Sequence, residues 1–367
     1  MFIIKIIVVS DFHADMYDSY AKPLKDKPWN DRFQNQLDTL DKIFDLAVKY
    51  KAKVIFNGDL FNQRVNINQI VYTQIVNKIV EKSYLLQMVI GSHPVYFVAG
   101  NHDQYDNSRI PENSLAIFNL FEANTEDQRL FRVISHPNTL VFKDTNLVFL
   151  PYSEDVDWSK SQLNQQIKGL NKHSAYLFAH IGVDGAKQGR WNHRLGGAFS
   201  LGDLQPNKFN QIILGHYHLR QTLQDDPKHL VYYVGNTVPL NHNDDFQKKG
   251  VYLIDTEDNS AKFIAINNPL FMTLDTNKYS ADEIKDISKD NYIKLVTHSK
   301  EDLVKFKADN QDLTVAYDPT DKKPVEDLGI KITDSTKEIV KSYTDKYYPE
   351  QTKLALEVLN NTQIEKK

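Results

Sequence analysis

Five short stretches of the chain end in side chains that bind metals or move protons. SDFH supplies Asp11 and His13, NGD supplies Asp59, and GNHD supplies Asn101, His102 and Asp103. AH supplies His180, and GHYH supplies His216 and His218. Aspartate, asparagine and histidine together form an oxygen and nitrogen donor set. Such a set suits manganese, iron, zinc or nickel, whereas magnesium and calcium favour oxygen alone. Two aspartates, an asparagine and four or five histidines in one place exceed what one ion needs. Two divalent cations roughly 3.5–4 Å apart can clamp a phosphoryl group and turn water into a strong nucleophile near neutral pH. One carboxylate is usually shared between such ions, and Asp59 is the candidate bridge. The chemistry expected is hydrolysis of phosphate esters.

Taken singly, these pieces are ordinary. A Gly-Asp pair commonly closes a turn, and an Asp-x-His at a strand end says little more. G-N-H-D and G-H-x-H are more specific, because extended chain sends alternate side chains apart and a turn must bring them together. All five together, each after an apolar run, are the signal.

The elements that position them follow from those runs. Seven of the eight residues from Phe2 to Val9 are apolar, which reads as a strand buried on both faces. Val54–Phe56, Val95–Val98, Tyr176–Phe178, Ile212–Leu214 and Leu230–Val234 are further strands. TLVFKDTNLVFL reads as a hairpin about Asp144-Thr145-Asn146. Leu37, Leu40, Ile43, Phe44 and Val48 share one helical face, as do Val71, Ile75 and Ile79. The fold class expected is α/β, a mixed sheet or two packed sheets with helices outside. Glycines at 58, 100 and 215 let the chain turn where strands end. Buried strands are then rigid arms, with polar tips delivered to one place.

After residue 268 the texture changes, dividing the chain into a domain over 1–268, a small α+β domain over 269–320, a linker over 321–333 and helices over 334–367. The small domain reads as Tyr292–Val296, a helix over Glu301–Phe306 and a strand over Leu313–Ala316. DPTDKKPVED, Asp318 to Asp327, is rich in proline and charge and has the texture of a linker. DSTKEIVKSYTDKYY and PEQTKLALEVL are amphipathic helices, with Ser335 or Asp334 as cap and Pro349 at a helix start.

Composition narrows the classes. The 367 residues are 41% hydrophobic and 25% charged, ordinary for a globular protein. There is no cysteine, which excludes disulfides and thiolate metal sites. A net charge of −4 lacks the basic footprint of a protein that binds nucleic acid by bulk electrostatics. No apolar run is long enough to span a membrane, and the amino-terminal run lacks a signal-peptide cleavage pattern, so a soluble cytoplasmic protein is expected.

The ordered set SDFH, NGD, GNHD, AH and GHYH resembles the calcineurin-like metallophosphoesterases. Within them the chain is similar to the SbcD-type DNA double-strand-break nucleases, including relatives in tailed phages, through YYVGNTVPLNHND (232–244), the small domain and the terminal helices. The resemblance implies a four-layer sandwich of two mixed sheets flanked by helices, with a small capping domain. It implies that Asp11, His13 and His218 hold one metal, that Asn101, His180 and His216 hold the other, and that Asp59 bridges. His102 would be no ligand but would face the scissile phosphate and protonate the leaving oxygen, with Asp103 orienting its ring. The implied cofactors are two divalent ions, most typically Mn2+. The implied partners are DNA, a second copy of the chain in a homodimer, and an SbcC-type ATPase docked on the terminal helices.

The chain departs from related patterns in places. GDLFNQR differs from the G-D-x-V-D-R-G of protein phosphatases, SDFHAD differs from S-D-x-H-L-G, and Ile181 stands where the nuclease branch often has Gln. A stand-alone phosphodiesterase or nucleotidase needs only the same metal site and remains the alternative. A non-catalytic scaffold would have lost ligands, and none is missing. Outside the motifs, His93, His136, His173, His193, His229, His242 and His298 read as surface or hydrogen-bonded residues, with His242 the nearest to the site. Lys187, Arg190, Trp191 and Arg194 in the stretch 184–203 could meet phosphate backbone and stack on a base.

Overall fold

The amino-terminal apolar run becomes β1 (Lys5–Val9), and its neighbours explain why it is apolar throughout. Ile7 and Val9 pack outward with α1 (Asp31–Tyr50) and α2 (Gln69–Ile90), while Ile6 and Val8 pack inward against a second sheet. The structure is a computed structural model that describes residues 4–364 apart from 92, 122–128, 143, 171–173, 189–192, 195–197, 245, 302, 305–313 and 318–334.

The remaining strands of the two large sheets are β2 (Lys53–Asn57), β3 (Val95–Val98), β4 (Phe131–Ile134), β5 (Asn138–Phe142), β6 (Thr145–Leu150) and β7 (Ser174–His180). After the short pair β8 (Lys187–Gln188) and β9 (His193–Arg194) come β10 (Gln211–Gly215), β11 (Gln221–Gln224), β12 (Leu230–Tyr233), β13 (Gly250–Asp255) and β14 (Ser260–Ala265). One six-stranded sheet runs β14-β13-β1-β2-β3-β4 and the other β11-β12-β10-β7-β6-β5. In the first, β1 to β4 are parallel and the β13–β14 hairpin adds antiparallel to β1. In the second, β6, β7, β10 and β12 are parallel and β5 and β11 flank them antiparallel.

Side-chain alternation builds the layers. Ile55, Tyr96 and Val98 face Phe149, Tyr176, Phe178 and Ile213 between the sheets. On the outer face of the first sheet, Val54, Phe56 and Phe97 meet Leu40, Ile43, Phe44, Val71 and Ile75. On the outer face of the second, Leu177 and Leu214 share a core with Leu163 and Ile167 of α3 (Val156–Gly169). The architecture is α/β, two mixed sheets flanked by helices, as expected. Val48 differs from its expected face, being 39% exposed near the end of α1. The hairpin about 144–146 is present as β5–β6. β4, β11, β13 and β14 were not foreseen.

Polar contact between the sheets is concentrated in Asn57, wholly buried at the end of β2. Its amide donates to the carbonyls of Ala179 and Ile213, at 3.3 and 3.2 Å, on β7 and β10. Its own carbonyl accepts from Nδ1 of His180 at 2.9 Å and from the Ser10 hydroxyl at 3.2 Å.

The chain forms two compact units, Met1–Leu295 with Asn310–Thr314, and Val296–Asp309 with Val315–Lys367. Packing carries the first unit past residue 268, where a small domain was expected to begin. The Arg32 guanidinium lies over the rings of Tyr17, Phe271 and Tyr292, and Asn35 donates to the Tyr292 hydroxyl at 3.1 Å. In the second unit, Thr336–Tyr347 is capped by Ser335 through a reciprocal bond with Glu338. Pro349 opens a short 3-10 turn, Pro349–Gln351, and the helix proper is Thr352–Ile364. The expected helix over 301–306, the start of the strand at Leu313, Asp334 and the linker fall wholly or partly outside the described residues.

Asn57→Ala removes the only side chain bonded to both Ala179 and Ile213 among the described residues. Both carbonyls keep their backbone partners in the β7–β10 ladder, so losing these two buried bonds should cost about 1–3 kcal/mol, read from urea unfolding.

Candidate metal centre

All five motifs sit at carboxyl ends of parallel strands, β1, β2 and β3 in one sheet and β7 and β10 in the other. That is where open α/β sheets place their ligands. Turning the chain there is costly. Asp11, His13, Asp59 and His216 are non-glycine residues at φ of 47°, 49°, 55° and 103°. Such backbone costs about 1–3 kcal/mol per residue and persists only where its surroundings hold it. Here the holding bonds are visible. The amides of Asp11, His13 and Ala14 donate to the carbonyls of Gly58, Asp59 and Leu60 at 3.1, 2.9 and 2.8 Å. The first two loops therefore brace each other beyond the sheet. The His216 amide donates to the Asp11 carboxylate at 3.0 Å.

Proximity requires glycine at 58, 100 and 215, the last because a β-carbon would lie 2.4 Å from the Asn57 carbonyl. A β-carbon on Gly58 would lie 1.9 Å from Nδ1 of His180, and one on Gly100 would lie 2.2 Å from Oδ1 of Asp59.

The predicted ligands converge. Asp11, His13 and His218 bring ligand atoms within 4.8 Å of one another, and so do Asp11, Asp59 and His180. Nε2 of His13 lies 3.0 Å from Nε2 of His218 and 3.6 Å from Oδ2 of Asp59. The same oxygen is 3.2 Å from Nε2 of His180, so Asp59 stands between histidines of both sets. Nδ1 of His216 meets Oδ1 of Asn101 at 3.0 Å. His102 also comes within 4.8 Å of His13 and Asp59.

Tautomers follow from the acceptors. A carbonyl can only accept, so His180 carries a proton on Nδ1 toward Asn57 and turns Nε2 inward. His102 likewise donates from Nδ1 to the Asn62 carbonyl at 2.6 Å, which leaves Nε2 as the atom that takes or gives a proton. This corrects the expected role of Asp103. Its carboxylate receives the backbone amides of Asp59 at 2.9 Å, Gly100 at 3.0 Å and Leu60 at 3.0 Å, tying the second and third loops together. The His102 ring is oriented by Asn62, a backbone partner that motif reading could not single out.

Electrostatics show a pocket short of positive charge. Burial opposes a charge on His180, but the Asp59 carboxylate outweighs it and lifts the imidazole to about 9. Burial also raises the carboxyl of Asp59, and the histidines around it more than reverse this, holding it well below the usual range. Burial, then the neighbouring His180, pushes His216 down to about 4, and burial holds His13 well below its ordinary value. Burial and the nearby Asp59 push Asp103 up to about 7 against its backbone donors. Among the described residues, Nδ1 of His13 and Nε2 of His180 are buried without a hydrogen bond. Nε2 of His180 and Nε2 of His13 face the buried Asp59 carboxylate beside Asp11, an oxygen and nitrogen donor set that divalent cations would satisfy, so the residues present fit a metal pair.

The model of the calcineurin-like phosphoesterase family matches residues 4–220. The chain belongs to that family. The solved structures similar to this phosphoesterase include a dimetal phosphatase from Danio rerio, with 11% identity, a TM-score of 0.42, and coverage of 68% of this chain and 91% of that one. A hypothetical protein from Thermus thermophilus has 10% identity and a TM-score of 0.31, with coverage of 64% and 76%. No curated protein matches significantly. Membership implies metal-dependent phosphoester hydrolysis.

Other expectations fall elsewhere. His242 is held by the Tyr20 hydroxyl at 2.9 Å and packs edge-on against Phe271, and no ligand cluster among the described residues includes it. Lys187 pairs through its backbone with Arg194, while Arg190, Trp191 and His173 lie outside the described residues. No helix among the described residues is long and apolar enough to cross a membrane.

A cation reaching Nε2 of His180 must displace its proton. Below about 9 the proton competes, so affinity for Mn2+ should rise with pH by up to about tenfold per unit and level off above that value. Calorimetric titration in buffers of different ionisation enthalpy reads both the affinity and the released proton. Gly58→Ala should lose metal binding, because its β-carbon and the His180 ring occupy one place.

Proposed function

We propose that this phosphoesterase is the nuclease subunit of a DNA end-processing machine. It would hydrolyse phosphodiester bonds with two divalent ions, Mn2+ foremost, as an exonuclease and also an endonuclease, in repair or recombination. The observation that carries the hydrolytic part is the convergence of Asp11, His13, Asp59, Asn101, His180, His216 and His218 at five parallel strand ends. In this reading Asp11, His13 and His218 hold one ion, Asn101, His180 and His216 the other, and Asp59 both. Bound there, the ions supply positive charge to the phosphoryl oxygens and lower the pKa of water.

The chain's own groups do the rest. His102, fixed by Asn62, presents Nε2 to the site and would give its proton to the departing oxygen. Asp103 keeps Asp59 and the GNHD turn in register. Tyr152, whose ring stacks 5.6 Å from that of His216, closes the side of the His216 imidazole.

DNA as substrate is favoured by the resemblance of 232–244 and by the helices at the carboxyl end of the chain. These helices expose Tyr343, Tyr347, Leu354 and Val358, an apolar surface suited to an SbcC-type ATPase. Tyr84, Leu85, Met88 and Val89 are exposed near the end of α2, where a second copy of the chain would cover them. The net charge of −4 favours the second reading, a phosphodiesterase acting on small molecules.

The deciding experiment offers Mn2+ with a labelled linear duplex and a small chromogenic phosphodiester, with and without the ATPase. Duplex cleavage is expected, and cleavage of the small diester alone would establish the second reading. His102→Ala should bind metal normally and turn over about 10²–10⁴-fold more slowly. Asp59→Ala should lose metal stoichiometry, read by elemental analysis.

A further inference from the structure

Three of the backbone groups beside the Asp11, His13 and His218 cluster are gripped by one distant segment. The Thr237 hydroxyl donates to the Ser10 carbonyl at 2.9 Å and accepts from the Ser10 amide at 3.3 Å. Ser10 in turn donates its hydroxyl to Oδ2 of Asp11 at 2.5 Å. The His218 carbonyl receives the Asn236 amide at 3.2 Å and Nζ of Lys249 at 3.2 Å.

Behind these contacts lies a buried ion pair. Nζ of Lys249 donates to Oδ1 of Asp244 at 2.7 Å, and both residues are 3% exposed. Oδ2 of Asp244 accepts from Nδ2 of Asn236 and from the Leu240 amide, each at 2.9 Å. One carboxylate thus ties together the loop that holds Ser10 and the lysine that holds His218. Taking two charges out of water rarely adds stability over an apolar pair of similar size, so stability alone does not account for it. The contacts are also one-sided. They reach Ser10 and His218 directly, and the other set only at second hand, through Ser10 on the Asn57 carbonyl and through the His216 amide on Asp11.

We propose that Asp244 and Lys249 are positioning residues which, with Thr237, set one of the two cation sites, that of Asp11, His13 and His218, more strongly than the other. The proposal rests on the two-site reading above. Removing groups that orient ligands typically weakens metal binding about 10–100-fold.

The test uses the full chain with Mn2+ as probe, in wild type, the double variant Asp244→Asn/Lys249→Met, Lys249→Arg and Thr237→Val. Melting without metal is followed together with Mn2+ titration and low-temperature electron paramagnetic resonance. Wild type should take up two ions and give the spectrum of a coupled pair. The double variant and Thr237→Val should keep one site near wild-type affinity and weaken the other about 10–100-fold. At two added equivalents, where wild type gives the coupled pair, they should show isolated Mn2+ signals. Lys249→Arg, still cationic and able to donate to the carbonyl, should recover the pair. Two unchanged sites, or equal weakening of both, overturns the proposal. If the double variant fails to fold, Thr237→Val decides, because valine matches threonine in shape. Fewer than two ions in wild type would instead overturn the two-site reading itself.

Discussion

Everything at the metal centre depends on holding two sheets in register at one point, and Asn57 does this with a single buried amide. Apolar layers attract without direction. Between β2 and the pair β7 and β10 they permit sliding, and a slide of one residue would carry His180 about 3.3 Å out of place beside Asp59. Bonds from one side chain to the carbonyls of Ala179 and Ile213 fix that relation. The Asn57 carbonyl then sets the His180 tautomer and receives Ser10. Ligands contributed by both sheets can share a pocket because the sheets share this residue.

The second constraint is local. Four ligand-bearing residues adopt left-handed backbone, and each loop is braced by its neighbour: Asp11 and His13 on the loop of Asp59, and Asp59 on the Asp103 carboxylate. Asp11 itself receives the His216 amide. The pocket is therefore a cycle of loops in which no motif is held by its own strand alone. This explains why the motifs carry residues that touch no ion. Gly58 and Gly100 make room, and Asp103 satisfies backbone donors.

Much of this was legible in the sequence, and the illegible part has a physical pattern. Strands buried on both faces, such as Ile6–Val9 and Val95–Val98, announce themselves because every residue is apolar. β13 and β14 do not, since a half-exposed hairpin carries Asp255, Lys262 and Ser260 among its apolar residues. Ligand residues stood out by type at strand ends. Their supports did not: Asn62 acts through its carbonyl, Thr237 reaches Ser10 across the chain, and the pairing of Asp244 with Lys249 looks like ordinary surface charge. Chemistry borne by side chains is written in residue types, whereas orientation supplied by backbone depends on a fold not yet formed.

The place of β1 has a consequence for synthesis. It is an interior strand, lying between β2 and β13, and its register pairs Lys5 with Asp255. A ribosome makes the first partner early and the second only after some two hundred further residues. Through that interval one hydrogen-bonding edge of an almost wholly aliphatic strand stays unpaired. Nascent chains stopped short of the β13–β14 hairpin carry a sticky edge beside a nearly finished pocket, so this hairpin is what renders the newborn protein safe from its own copies.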